Sequence, residues 1–522
     1  MELLMTMDLL LKFLGTVAVM GLVDVLLRIY DALVLKPKRL RSKLVKQGIR
    51  GPPASFLLGN SREVKSVIPK SVKNPSQVGA QQGNTILHNY ASSLFPCFEQ
   101  WTRDYGPTFF FSLGNMQCLH MNALDVVKEM SICTSLDFGK PLYQQNMLGP
   151  LLGHGVLTAN GANWVHQRKI VGREFTMDKV KGMTNLIVEC ATMVVNTWTA
   201  LVEEGGLADI DVEKYLSGFS GDAISRACFG SSYSEGQEIF SKIRALEENM
   251  TKRIRFYGIP IMRYLPTKSN REIWRLVKEV RELILKVVKE RKEAATQNDL
   301  LQMILEGAEK SDLSQDEMNN FIVDNCKNIY LAGYETTSLS GGWALMLLAS
   351  NPEWQDKARA EVQEICGGQL PDADMLRKMK IVTMVINETL RLYPTSPILS
   401  REALQDLKFR DIHVPKGVIM WSSVAAMHQD PEIWGPDAYM FNPERFANGV
   451  KGSSKFPYAY QPFGIGPRVC LGQHFAMAEL KILLSLLLAN FSFSLSPRYK
   501  HSPINKLIIH PQYGVQVVIK KL

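Results

Sequence analysis

The sequence predicts a mostly α, α+β protein, in which one large helical domain carries small β-sheets and follows an N-terminal transmembrane helix. An apolar run opens the chain, most later segments repeat apolar residues at helical spacing, and strand-like stretches occur near the two ends of the sequence. The 522 residues are 46% hydrophobic and 21% charged, which is typical of a globular enzyme. Such a chain has enough apolar residues for a core that encloses a bulky cofactor.

Residues 1–30 are predicted to form a membrane anchor, because residues 13–23 carry no charge and the apolar span reaches about the 20 residues that a bilayer requires. A cleaved signal peptide is one alternative, but a basic first region and a small-residue cleavage site are both missing. A buried core helix is another, and it does not explain the basic residues that follow, which are Lys36, Lys38, Arg39, Arg41, Lys43 and Lys46. By the positive-inside rule they keep the rest of the chain in the cytosol.

This basic stretch also accounts for much of the net charge of +9, so the composition does not predict a nucleic-acid partner. The eight cysteines contain no C-x-x-C pair and no regular spacing, which favours a reducing compartment over a disulfide framework. Residues 31–60 are basic and rich in proline and glycine, so they are predicted to be a linker. No second linker or repeat follows, and residues 61–522 are predicted to form one domain.

The order of elements follows from local patterns. Aromatic and apolar runs around Gly114 and Asn115 predict a hairpin, and helical spacing predicts the helices that follow it. Ser314 and Glu317 form a capping box that begins a long helix, and Asn351 before a proline marks its end. The predicted segments are a hairpin at 108–122, helices at 123–130, 276–294 and 472–490, and strands at 507–510 and 514–520.

The strongest functional motif is FGIGPRVCLG, residues 463–472, which has the form F-x-x-G-x-R-x-C-x-G. Its glycines and proline predict a tight loop, and a helix begins directly after Cys470, where unpaired N–H groups favour a thiolate. A thiolate ligand to haem iron favours O–O cleavage. In such a site Phe463 would shield the sulfur, Gly466 and Gly472 would let the backbone approach the macrocycle, and Arg468 would pair with a propionate.

A second motif is LAGYETTSLSGGW, residues 331–343, within the long helix. Gly333, Thr336 and Thr337 are all poor choices for the middle of a helix, which predicts a locally open hydrogen-bond ladder that holds water or oxygen. Glu335 beside Thr336 could then relay protons. The alternative is a helix that packs closely on a neighbour through small residues.

A third motif is ETLR, in which Glu388 and Arg391 share one face of an apolar helix. Most pairs at this spacing are exposed and weak, but this one is predicted to be buried. A buried pair usually needs a further partner, and Arg445 in NPERF is the candidate.

Together the three motifs resemble those of the cytochrome P450 superfamily of haem-thiolate monooxygenases, over essentially the whole chain after the anchor. The resemblance implies that Cys470 is the axial haem ligand and that Thr336 with Glu335 forms the acid–alcohol pair for oxygen activation. It also implies a structural triad formed by Glu388, Arg391 and Arg445. The haem-propionate contacts implied by the resemblance are Trp164, Arg168 and Arg401.

Four stretches, LFPCFEQWTRDYGP, HQRKIVGREF, DNCKNIYLAGYETT and HSPINKLIIHPQYG, resemble a plant branch that contains Elongated-Uppermost-Internode-type gibberellin oxidases. The resemblance implies a gibberellin-type diterpenoid substrate, with a triterpenoid as the alternative. The apolar segments 147–157 and 255–266 are predicted to roof the pocket. Within or beside them, His154, Arg253 or Arg255 could meet a substrate carboxylate, although each is also explained as a surface charge or a packed loop residue.

The predicted partners are O2, a hydrophobic substrate, the membrane and an NADPH-cytochrome reductase, because the chain lacks G-x-G-x-x-G and any flavin signature of its own. The expected location is the endoplasmic reticulum membrane, with a single span and a cytosolic catalytic domain. Two other functions use the same cofactor. An isomerase or dehydratase would need no acid–alcohol pair, and a non-catalytic haem sensor or carrier would consume no NADPH.

Overall fold

Helices form most of the protein in this computed structural model, which describes residues 2–65, 86–203, 206–230, 233–253, 265–293, 299–311 and 313–522. The first eleven are α1 Glu2–Tyr30, α2 Lys36–Val45, α3 Ser61–Lys65, α4 Ala91–Leu94, α5 Pro96–Tyr105, α6 Leu124–Ile132, α7 Leu142–Leu152, α8 Gly161–Val171, α9 Met177–Gly182, α10 Thr184–Glu203 and α11 Val212–Phe229. The others are α12 Tyr233–Arg253, α13 Lys268–Glu293, α14 Leu300–Glu309, α15 Gln315–Ser350, α16 Pro352–Cys366, α17 Ala373–Lys378, α18 Lys380–Leu392, α19 Val424–His428, α20 Pro431–Trp434, α21 Gly449–Gly452 and α22 Gln473–Asn490.

Twelve short strands lie in the described residues and form four small sheets. They are β1 Thr108–Leu113, β2 Met116–Met121, β3 Phe138–Gly139, β4 Ala208–Asp211, β5 Ile398–Ala403, β6 Leu407–Phe409, β7 Ile412–Val414, β8 Ile419–Ser423, β9 Phe491–Leu495, β10 Pro503–Asn505, β11 Ile509–Pro511 and β12 Gln516–Lys521. The largest sheet has the order β1-β2-β8-β5-β3, and only β2 and β8 pair in parallel. The other sheets are β4-β12-β9, β10-β11 and β6-β7.

The N-terminal helix is longer than the predicted anchor. α1 continues through one π-helical turn, Asp31–Leu35, into α2, so the first part of the predicted linker is helical. Residues Leu10–Val45 include an apolar window that is wholly exposed, as expected of a membrane-anchoring helix. A second helix, α10, is also long and apolar enough to span a membrane, but it packs against α11 and α22 inside the protein.

The long helix α15 runs through the centre of the domain. Ser314 and Glu317 form the predicted capping box, and the helix ends at the predicted Asn351. It packs against α11, α14, α18 and α22, which explains why most of its last half is buried. The helix is continuous through residues 333–337, where the Thr336 hydroxyl donates to the carbonyl of Ala332 at 2.6 Å. The predicted opening of the ladder is therefore absent, because the side chain bonds back one turn.

The predicted mostly helical fold with small sheets is confirmed, including the 108–122 hairpin and α22. The sequence did not reveal strands β5 to β8, which lie between residues 398 and 423; β5 and β8 belong to the largest sheet, and β6 and β7 form a separate hairpin. In β5, for example, the last four residues are all buried. A half-exposed strand would instead alternate buried and exposed residues, and that period of two is missing here.

Candidate functional site

The cysteine loop has the tight geometry that its glycines predict. Gly464 and Gly466 adopt φ angles of 78° and 64°, which other residues rarely adopt. The turn brings the Cys470 N–H to the carbonyl of Phe463 at 2.8 Å. A Cβ at Gly466 would also lie 3.3 Å from the carbonyl oxygen of Ser131, so the loop passes close to the end of α6. The loop thus fixes the position of the sulfur before α22 begins.

The Cys470 side chain faces open space inside the protein. It is the only one of the eight cysteines that is solvent-exposed, yet burial raises the pKa of its thiol. The exposure and the raised pKa are both explained if protein surrounds the sulfur but few protein atoms contact it. A hydrogen bond from the backbone at Gly472 and the charge of Arg168 lower the pKa, but less than burial raises it. The helix N-terminus alone therefore does not produce the expected thiolate, whereas a cation at the sulfur would.

Four cationic side chains gather beside the loop, and within the described part of the chain none forms an ion pair: Lys140, Arg168, Arg401 and Arg468. Burial lowers the pKa of Arg401 to about 10, and only 4% of that residue is exposed. Burial, with repulsion from Arg401 and Arg168, lowers the pKa of Arg468 to about 9. Buried cations that repel one another require an anionic partner.

Aromatic and amide groups hold these cations in place. The Arg468 guanidinium lies 4.2 Å from the centre of the Trp164 ring, and its nitrogens donate to Ala159 O at 3.0 Å and Asn160 Oδ1 at 2.9 Å. Arg168 donates to Val469 O at 2.9 Å, which ties α8 to the cysteine loop. The cluster is therefore ordered before any anion binds, which reduces the entropy cost of binding.

The donor set fits a flat, dianionic macrocycle with a thiophilic metal, which is the haem that the sequence predicts. The sulfur offers a soft ligand, and the cations offer partners for two carboxylates. Arg401 and Arg468 also line a small cavity that is bounded by residues 133–136 and Phe138. The structure thus brings Trp164, Arg168, Arg401 and Arg468 together beside the loop that holds Phe463 and Cys470.

The predicted oxygen-activating segment of α15 contains accessible positions. Ala332 is exposed although it lies in the middle of a largely buried helix, and Thr336 is half-buried one turn later. The neighbouring Thr337 is buried, and its hydroxyl donates to the buried carboxyl of Glu479 at 2.9 Å. Burial raises the pKa of Glu479 well above its usual range, so this group is a neutral acid that links α15 to α22.

Glu335 does not reach the hydroxyl of Thr336 in this structure. Its carboxylate lies beside Glu247 of α12, and 3.3 Å from Nε2 of His510 in β11. Burial, and then the charge of Glu247, raise the pKa of Glu335 to about 8. At neutral pH this carboxyl therefore holds a proton, which a relay needs, but it meets Thr336 only after its side chain turns.

The raised pKa of Glu335 predicts a pH-dependent stability. The folded state binds this proton more tightly than the unfolded state does. The contribution of Glu335 to the free energy of unfolding is therefore fully present below about pH 4.5 and is lost as the pH rises through about 8. Glu335→Gln removes this one titration. We expect the difference in melting temperature, variant minus parent, to grow from pH 5 to pH 8, as measured by circular dichroism. A difference that stays constant with pH for Glu335→Gln would contradict the assignment.

The predicted triad of Glu388, Arg391 and Arg445 is present. Both carboxylate oxygens of Glu388 accept from Arg391 at 2.7 Å, and Nε of Arg445 lies 3.5 Å from Glu388 Oε1. Arg391 and Glu388 are completely buried. Arg445 also donates to the carbonyl of Trp434 and forms an ion pair with Asp437.

Sequence reasoning missed Lys140, Asn160 and Glu479 at this site. Lys140 precedes a proline at the end of β3, and Asn160 precedes α8, so each reads locally as a loop residue. His154, Arg253 and Arg255 are the candidate partners for a substrate carboxylate. Among the described residues, no contact places any of them at the site. His154 is exposed and its N–H donates to Asp324 at 2.8 Å, while Arg255 and the side chain of Arg253 lie outside the described residues.

Comparison with known proteins agrees with this geometry. A family model described as Cytochrome P450 matches residues 82–519. "Cytochrome P450 714C2" of Oryza sativa subsp. japonica is 49% identical over 498 residues, which cover 95% of each chain. "Cytochrome P450 714A2" of Arabidopsis thaliana is 44% identical over 514 residues, or 96% of this chain and 97% of the relative. "Cytochrome P450 714B3" of Zea mays is 44% identical over 525 residues, or 100% and 98%.

Proposed function

The chain belongs to the cytochrome P450 family, in a branch found in plants, and from this premise we propose that it oxidises a gibberellin-type diterpenoid. As a member it is a haem-dependent monooxygenase that uses O2, a hydrophobic substrate and electrons from a reductase. The proposal rests on the similarity of nearly the whole chain to relatives from the plant branch.

We assign the axial haem ligand to Cys470 and the propionate contacts to Trp164, Arg168, Arg401 and Arg468, with Phe463 beside the sulfur. The open thiol and the unpaired cations support this assignment. Bound haem with a thiolate ligand supplies the chemistry that splits O2 and inserts one oxygen atom into a C–H or C=C bond. The protein's own part is to hold the cofactor, exclude water and deliver protons.

Thr336 is assigned to proton delivery, because it is only partly buried and its hydroxyl is held by a hydrogen bond to the carbonyl of Ala332. We expect Thr336→Ala to retain the haem spectrum while NADPH consumption is diverted to hydrogen peroxide, since one proton donor is lost. Peroxide and product are measured per NADPH. Thr336→Ser keeps a hydroxyl and should restore most of the coupling. Normal coupling in Thr336→Ala would show that the residue acts only in packing.

An NADPH-cytochrome reductase is proposed to dock beside the cysteine loop. Lys169, Arg173 and Lys455 are exposed there, and in the described part of the chain they form no ion pair. Unpaired surface cations suit an acidic partner.

The docking proposal predicts that Lys169→Glu slows reduction of the haem by the reductase and weakens its dependence on salt, because one attractive charge is reversed. Stopped-flow reduction at several ionic strengths measures both. Lys278→Glu, on the exposed face of α13, makes the same charge change elsewhere and should have little effect. Equal effects of the two variants would place the docking surface elsewhere.

The membrane proposal is a single span in the endoplasmic reticulum with the domain on the cytosolic side. The exposed apolar helix and the basic residues of α2 support it. An anchored enzyme can take a lipophilic substrate from the bilayer. The segment 147–157, predicted to roof the pocket, contributes Leu148 and Leu152 of α7, which pack against the core.

Microsomes that contain the enzyme and a reductase test the substrate. They are incubated with diterpenoid and triterpenoid acids and their methyl esters, and products are identified by mass. We expect NADPH-dependent oxygen addition to the gibberellin-type acid and none in Cys470→Ala microsomes. Oxidation of triterpenoids alone would favour the alternative substrate. Oxidation of fatty acids or phenolics alone would overturn the terpenoid assignment but not the monooxygenase.

A further inference from the structure

Three side chains of the types that bind metal ions meet at the middle of α15. They are Glu247 of α12, Glu335 of α15 and His510 of β11, and one ligand atom from each lies within 4.8 Å of the other two. Glu247 is 7% exposed and His510 is 5% exposed, so the group lies beneath the surface. These three residues are called the Glu-Glu-His cluster below.

The imidazole of the cluster has a nitrogen that the protein leaves unsatisfied. Nε2 of His510 is buried and makes no hydrogen bond among the described residues, although Oε1 of Glu335 lies only 3.3 Å away. Burial lowers the pKa of His510 to about 3, so the ring is neutral at pH 7, which is the form that binds metal ions. A buried nitrogen without a partner points to a ligand.

The two carboxyls of the cluster share a proton that a cation can replace. Glu247 and Glu335 are hydrogen-bonding partners, which requires that one of them is protonated. Two carboxylates so close together do not both ionise readily, because their charges repel. A divalent cation removes this restriction, since both carboxylates then bind the ion and the proton leaves to solvent.

The charges around the Glu-Glu-His cluster permit an added cation. Arg244 and Lys506 oppose one, but both are exposed, so water and salt screen them. The charge of Glu248 acts on Glu247, and Glu213 lies within reach of both bases. With the two carboxylates of the cluster, four acids face two bases, and the difference equals the charge of one divalent ion.

The donor set suits zinc better than it suits the hard cations. Zn²⁺ binds imidazole nitrogen and carboxylate oxygen at about 2.0–2.2 Å, and three protein ligands with one open position are a common arrangement. Two ligands of a tetrahedral ion at this distance are about 3.4 Å apart. The 3.3 Å between His510 Nε2 and Glu335 Oε1 is close to that spacing. Mg²⁺ and Ca²⁺ instead prefer oxygen ligands alone.

We propose that the Glu-Glu-His cluster binds a divalent cation of the Zn²⁺ class, and that the bound cation reversibly inhibits the oxidation. Binding fixes the carboxylate of Glu335 to the ion and releases the shared proton. Glu335 then can neither turn toward Thr336 nor supply that proton. The inhibition rests on the proposed function, whereas the binding of the ion does not.

Zinc binding is tested on the full-length holoenzyme in detergent after treatment with a chelator. Equilibrium dialysis against Zn²⁺, followed by atomic emission, gives the zinc bound per chain. We expect the parent to bind one zinc ion more than His510→Gln and Glu247→Gln do, and dialysis against Mg²⁺ to show no such difference. His413→Gln, the matched control, removes an exposed histidine from another short strand, β7, and should bind zinc as the parent does.

The carbon-monoxide band of each reduced variant first shows that it is folded with its haem. Equal amounts of zinc in the parent and in folded His510→Gln or Glu247→Gln would overturn the site. Loss of the same zinc ion in His413→Gln would also overturn it, because the ion would then lie at the surface.

Product and hydrogen peroxide per NADPH measure the inhibition, and each protein is compared with its own zinc-free state. We expect zinc to lower product per NADPH in the parent and in His413→Gln but not in His510→Gln. Equal loss in all three would overturn the inhibition, because zinc would then act on the reductase. A protein that oxidises no terpenoid would overturn the proposed function and the inhibition with it, while the dialysis would still decide the site.

Discussion

Replacing Cys470 with alanine is expected to abolish both the long-wavelength band of the reduced, carbon-monoxide-bound protein and all NADPH-dependent oxidation. Alanine has no atom that can bind iron, and Cys470 is the only exposed cysteine of the eight. The neighbouring cations would still attract the propionates, so some haem can remain in the variant, but without a sulfur ligand. Absorption spectroscopy and product analysis measure the two losses.

The matched control for this prediction is Cys133→Ala. Cys133 is half-buried and lines the cavity that Arg401 and Arg468 also line. Its replacement makes the same chemical change within the same region, and the band and the activity should both remain. A band that survived in Cys470→Ala would show that another group is the ligand.

Arg391→Lys is expected to destabilise the protein by about 3–5 kcal/mol, the range for breaking a buried ion pair, and to prevent most of it from accumulating in folded form. All five N–H groups of the arginine are used. Two bind Glu388 at 2.7 Å, and the others bind three backbone carbonyls, those of His428 at 2.6 Å, Ala438 at 2.8 Å and Met440 at 3.1 Å. Lysine has three donors in another geometry, so carbonyls would remain buried without partners.

Arg377→Lys is the matched control, because Arg377 also pairs with an acidic residue three positions away, Asp374, but at the surface. We expect it to change stability by at most about 0.5 kcal/mol. The folded yield and the melting temperature by circular dichroism compare the variants. If Arg391→Lys melted like Arg377→Lys, the buried network would contribute far less than its geometry indicates.

The features that the sequence predicted correctly depend on neighbours along the chain. Both ends of α15 follow from local groups, a capping box at Ser314 and a proline after Asn351. The turn before Cys470 follows from glycines that must adopt positive φ angles. Spacing along α18 likewise placed Glu388 beside Arg391. These features need no knowledge of the rest of the fold.

The features that the sequence did not predict depend on distant parts of the chain. Glu335 is adjacent to Thr336 in sequence, yet its carboxylate lies beside Glu247 and His510, which come from α12 and β11. Lys140 joins the cation cluster only because β3 pairs with β5 and brings it beside Arg401. No local pattern encodes such neighbours, since tertiary packing decides them.

The unbroken path from α1 through the π-helical turn into α2 has a mechanical consequence. Residues 2–45 form a rod of about 66 Å at the usual rise per residue, and its end is fixed to the domain. Leu44 is completely buried against the sheet, and Arg41 donates to Ser112 at 3.0 Å. With α1 as the proposed membrane span, a change in its tilt would turn the whole domain, so bilayer thickness would control which face of the enzyme meets the lipid surface.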